Sequence, residues 1–111
     1  MQACFEVIDQ PVDNFDGKVK MTTNVNEMLK GREKRYGSFQ GHATISQALK
    51  DVMHITDGWA KLDMDQLEAL EMIQHKIARI LNGDPNYADN WIDIAGYAQL
   101  VVNRLEEESH E

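Results

Sequence analysis

DMDQLEALEMIQHKIARILNGDP, residues 63–85, is the stretch that decides the fold. Asp63 with Gln66 three positions later is a capping box, two side chains that satisfy the free amides at the start of a helix. From there Leu67, Leu70, Ile73, Ile77, Ile80 and Leu81 recur at offsets of three and four, which places them on one wide helical face. Gly83 supplies a C-cap and Pro85 blocks continuation. The segment predicts an amphipathic helix with its apolar face toward a core.

The flanking sequence repeats that logic. Downstream, a helix is expected from about Tyr87 to Leu105, with Trp91, Ile94, Ala95, Ala98, Val101, Val102 and Leu105 as its core stripe. Upstream, Asn24-Val-Asn-Glu27 reads as another capping box opening a helix that ends near Tyr36-Gly37, and Ile45, Leu49, Val52 and Met53 mark a helix over residues 42–54. Thr56-Asp57-Gly58 closes that helix with a turn. Trp91 is expected as a core anchor and Trp59 as a cover for one end. About four helices joined by short connections, with no strand alternation in the main body, predict an all-α antiparallel helical bundle. It occupies residues 23–105, between an irregular N-terminal extension over 1–22 and an acidic tail over 106–111. A short apolar patch in the extension, Cys4, Phe5, Val7 and Ile8, is expected to pair as a strand or dock on the body.

Composition limits the function. The chain has 111 residues, the size of one domain, so a sizeable active site calls for a second subunit; a homodimer or higher oligomer is expected. With 11 Lys and Arg against 19 Asp and Glu, the formal charge is -8, which argues against duplex nucleic acid or an anionic membrane as partner. One cysteine, Cys4, forms no internal disulfide and fits a reducing compartment. No signal peptide and no apolar run of roughly 20 residues is present, so an intracellular setting is expected.

Candidate chemistry lies on the last two helices. Glu68, Glu71, His75 and Arg79 share a stripe roughly opposite the apolar face, and two glutamates three apart can hold Mg²⁺ or Mn²⁺. Read plainly, the same stripe is a solvated polar face. Asp89 and Asp93 lie on the less apolar side of the last helix. A carboxylate buried there needs a metal or a cation, and a salt bridge to Lys76 or Arg79 answers equally well. Mid-helix Gly96 admits close approach, with Tyr97 beside it. The only basic cluster, Gly31-Arg-Glu-Lys-Arg-Tyr-Gly-Ser-Phe39, could hold phosphates while Tyr36 or Phe39 meets a base; its cations also suit a helix C-terminus. His42 and His75 could share a metal, though two ligands make an incomplete set.

The strings TNVNEMLK (23–30), YGSF (36–39), MIQHKIARILNGDP (72–85) and WIDIAGY (91–97) resemble a family of small tailed-phage and prophage proteins that carries a domain of unknown function. The resemblance spans about residues 22–103 and implies a phage origin and the host cytoplasm. A more distant resemblance is to the all-α MazG-like nucleoside triphosphate pyrophosphohydrolases, in which an ExxE helix and an ExxD helix bind Mg²⁺. Glu68 and Glu71 match the first half and Asp93 the closing aspartate; Asn90 stands where the pattern has glutamate, with Asp89 beside it, and Leu67 replaces one of a usual glutamate pair. This implies a MazG-like bundle that binds, and on this pattern could hydrolyse, a nucleotide. Glu68, Glu71 and Asp93 would be its catalytic residues, Glu68, Glu71, Asp89 and Asp93 its Mg²⁺ ligands, and Arg35, Tyr36, Lys76, Arg79 and Tyr97 its substrate contacts. The alternative is a non-enzymatic phage counter-defence protein that inhibits a host protein or sequesters a nucleotide signal.

Overall fold

Four helical segments are found where the residue pattern predicts them, with shifted ends on three. A computed structural model describes residues 18–109, with side chains from Asn24 onward. Readings that fall on residues 1–17, the apolar patch at Cys4 to Ile8 among them, lie outside the described residues. Four α-helices follow one another: α1 (Lys18–Tyr36), α2 (Phe39–His54), α3 (Met64–Asn82) and α4 (Ala88–Ser109), with a short 3-10 helix (Asp57–Lys61) between α2 and α3. Among the described residues there is no strand, and α3 is the central helix, packed on both α2 and α4. The all-α bundle is therefore the fold.

Local chemistry explains most boundaries. Asp63 caps α3, with Gln66 Oε1 accepting from the Asp63 amide at 2.8 Å. Ser38 caps α2, its hydroxyl accepting from the Gly41 amide at 3.0 Å, so that helix begins at Phe39, three residues earlier than expected. Asn24 and Glu27 lie inside α1, which starts at Lys18; a cap signature inside a continuous helix is only a polar turn. Glu106 to Ser109 extend α4, where Arg104 Nη1 lies 3.1 Å from Glu108 one turn on. Thr56 caps the 3-10 helix instead of merely closing a turn, and Trp59 packs on His54 with ring centroids 4.6 Å apart.

The faces of the two best-patterned helices differ from expectation. On α4 the fully buried residues are Asn90, Asp93 and Tyr97; of the expected core stripe Ile94 and Val101 are half-buried beside them, while Trp91, Ala95, Ala98, Val102 and Leu105 are exposed. On α3, Leu70, Ile77 and Leu81 are exposed, and Gln74, Lys76 and Arg79 are buried. Trp91 is thus no core anchor; it is 53 % exposed, held by a 2.8 Å hydrogen bond from Nε1 to the Pro85 carbonyl. Some of the buried polar groups meet one another. Lys76 Nζ lies 3.0 Å from Asp93 Oδ2, and the Ser46 hydroxyl donates to Gln74 Oε1 at 3.2 Å.

The turn between α1 and α2 is fixed by the end of α3. Asn82 Nδ2 donates to the carbonyls of Tyr36 at 2.7 Å and Ser38 at 2.8 Å, and the Asp84 amide donates to the Arg35 carbonyl at 2.7 Å. Gly37 adopts φ 78° in that turn, a conformation that costs other residues strain.

Candidate functional site

That clamp holds open a cleft of about 710 Å³ between α1, α2 and α3. One face of α1 contributes Asn26, Leu29, Lys30, Arg32, Glu33 and Tyr36; the turn and the start of α2 contribute Gly37, Ser38, Phe39 and His42; α3 contributes His75 and Arg79. Three permanent cations face one carboxylate, so the cleft is electropositive although the chain carries -8. Such local reversal favours an anionic ligand.

Its walls are ordered by ring contacts. The Arg79 guanidinium sits 4.2 Å from the Tyr36 ring centroid and Arg32 5.6 Å from it, while Tyr87 meets the Tyr36 ring edge-on at 6.1 Å. Tyr36 therefore orients guanidinium groups. Phe39, 82 % exposed at the first turn of α2, is the ring left open to a ligand. Behind it, the His42 and His75 rings pack edge to face with centroids 4.5 Å apart. Burial, followed by the nearby Arg79 charge, lowers both imidazole pKa values, that of His75 to about 3. At neutral pH the pair is uncharged and offers hydrogen bonds, and the cleft's positive charge belongs to Lys30, Arg32 and Arg79.

The sequence-predicted substrate contacts divide. Tyr36 and Arg79 line the cleft; Arg35 instead lies 5.1 Å from the Tyr87 ring centroid, Lys76 is fully buried against Asp93, and Tyr97 is buried on the inner face of α4. Asn26 and Lys30 line the cleft too, outside the basic cluster, and Glu33 joins them from within it. Their signal is a continuous stripe through residues 26, 29, 30, 33, 36 and 37, legible once α1 is taken as one helix from Lys18.

The predicted carboxylates do not come together. Glu68 is exposed near the start of α3, Glu71 Oε2 lies 2.9 Å from His54 Nε2, Asp93 is fully buried against Lys76, and Asp89 is near Tyr87, whose pKa is raised by burial and then by that carboxylate. Among the described residues no group of three or more His, Cys, Asp or Glu side chains is placed to hold a metal. The Lys76 ammonium already supplies the cation that buried Asp93 requires. Within one chain these residues do not fit a Mg²⁺ site. Asn90, one turn before Asp93, is fully buried, and its side-chain amide has no hydrogen-bond partner among the described residues.

Residues 20–105 match the model of the family described as a domain of unknown function, DUF6378. The chain belongs to that family. The match covers most of the chain and spans nearly the whole of all four α-helices, so the cleft and the buried Lys76–Asp93 pair both lie within the family domain. No curated protein and no solved structure shows significant similarity to the chain. Among the described residues no helix is long and apolar enough to cross a membrane.

Proposed function

We propose that the protein binds a nucleotide in the cleft between α1, α2 and α3, on a MazG-like helical scaffold and in the phage setting that its sequence resemblance implies. The observation that carries this reading is the cleft itself, which gathers Lys30, Arg32 and Arg79 beside an exposed aromatic ring in a strongly acidic chain. Phosphates would lie against the three cations, where guanidinium forks match phosphate oxygens. A base would stack on Phe39, with the neutral His42–His75 pair offering hydrogen bonds. Hydrolysis through Glu68, Glu71 and Asp93 lacks comparable support, because each is separately placed and two already have partners. The favoured activity is retention of the ligand, which accords with a counter-defence protein that sequesters a nucleotide signal.

Calorimetric titration with nucleoside mono-, di- and triphosphates, with and without Mg²⁺, tests the reading, with products followed by chromatography. Phe39→Ala and Arg32→Gln should each weaken binding about tenfold, or about 1.4 kcal/mol, while leaving the unfolding midpoint nearly unchanged. Absence of binding across the panel would remove the proposal. Turnover that is lost in Glu68→Gln and Glu71→Gln, with the unfolding midpoint kept, would replace retention with catalysis.

A further inference from the structure

Trp91, Ala95, Ala98, Val102 and Leu105 follow one another on α4 at spacings of 4, 3, 4 and 3 residues. This is the 3.5-residue period of helices that pack along their whole length. All five residues are exposed, and a different, adjoining face of the same helix, with Asn90, Asp93 and Tyr97, is the one that packs against its own bundle. A helix that needs only one core-facing side has no use for a second seam. Trp91 is held by its hydrogen bond to the Pro85 carbonyl, so its large surface is presented in a fixed orientation.

We propose that this seam is an interface between two copies of the chain, in which α4 pairs with α4 antiparallel about a twofold axis near Ala98. Shape argues for a second copy of the same helix. The seam has small residues at its centre, Ala95 and Ala98, and large ones at its ends, so the helices approach closely in the middle while Trp91 of each copy meets Leu105 of the other. Charge fixes the direction. Glu106, Glu107 and Glu108 crowd one end of α4. A parallel pair would bring those ends together, whereas an antiparallel pair keeps the two glutamate clusters at opposite ends of the interface. A twofold pairing is also self-complementary, each contact being made twice. The interface does not depend on what occupies the cleft.

Sedimentation and light scattering on the full chain test this. The wild type should show twice the monomer mass, and Ala95→Arg/Ala98→Arg the monomer mass, with helical circular dichroism retained because both alanines are exposed in the single chain. Leu105→Glu alone should weaken the dimer at least tenfold. In a Cys4→Ser background, Ala95→Cys and Val102→Cys proteins mixed under mild oxidation should cross-link to each other and neither to itself. A monomeric wild type, or a double-arginine variant that stays dimeric, overturns the proposal. Self-cross-linking of Val102→Cys overturns the antiparallel arrangement.

Discussion

Lys76 and Asp93 are the most consequential residues of the interior, both fully buried and 3.0 Å apart. Neither charge could be left there alone. Lys76→Met should therefore destabilise the fold by about 3–5 kcal/mol, because it strands a buried carboxylate, whereas Lys76→Met/Asp93→Leu should recover most of that loss. Urea denaturation of the two singles and the double measures the coupling; additive effects would show that the ion pair is not what matters. The need of Asp93 for a cation was legible from its place on α4, with Lys76 among the side chains able to meet it. Which cation answers depends on how α3 is rotated, and no local pattern encodes that. His75 carries a second residue-scale consequence. Its pKa of about 3 lies below the ordinary 6.5, so below pH 6.5 the unfolded chain takes up a proton that the folded chain refuses. The stabilisation is complete above pH 6.5 and declines as pH falls toward 3, by up to about 1.4 kcal/mol per pH unit. Thermal unfolding between pH 7 and 5 should show this decline, and His75→Phe should make it shallower, leaving the contribution of His42.

At the scale of elements, the helices were legible and their orientation was not. Asp63, Gln66 and Gly83 mark α3 because caps act within a few residues and their chemistry is written locally. Hydrophobic periodicity, by contrast, says only that a face will be covered, not by what. On α4 the stripe from Trp91 to Leu105 has the right period for a core, yet only Ile94 and Val101 of it are half-buried, the rest is exposed, and Asn90, Asp93 and Tyr97 turn inward. The cleft was partly legible for a related reason. Tyr36 and Arg79 carry chemistry that stands out on a sequence, as do His42 and His75, but the edge-to-face contact of the two imidazoles arises only from the packing of α2 on α3. What sets that packing is the Asn82 clamp on the turn between α1 and α2. In Gly37→Ala the new Cβ would run into the Asn82 carbonyl at a φ that already disfavours a side chain. A loss of at least about 2 kcal/mol is expected. Ligand affinity should fall with it, since Gly37 and Ser38 line the cleft. Denaturation and titration of the same variant check both effects, and an unchanged midpoint would show that the clamp does not hold the turn.

For the molecule as a whole, the interior has few apolar residues to hold it together. Among the described residues, Tyr36, Ala69, Ala78 and Tyr97 are the buried hydrophobic side chains, and the two alanines contribute little surface. Half-buried apolar residues such as Leu67, Ile73, Ile80 and Ile94 surround them, and the other fully buried side chains are polar, where even an ion pair gives back little more than its own desolvation cost. Meanwhile Leu70, Ile77, Leu81, Trp91, Ile92 and Leu100 remain exposed, although each would stabilise the protein if covered. A chain arranged in this way should be weakly stable alone and gain much of its stability on association. Folding is then linked to protein concentration, because mass action favours the folded assembly as monomer accumulates. Each tenfold rise in concentration should stabilise a folded dimer by about 1.4 kcal/mol relative to two unfolded chains. Thermal midpoints measured over a hundredfold dilution series should climb steadily for the wild type and stay level for Ala95→Arg/Ala98→Arg. A wild-type midpoint independent of concentration would mean that the polar interior suffices, and that the apolar faces of α3 and α4 contribute nothing to folding.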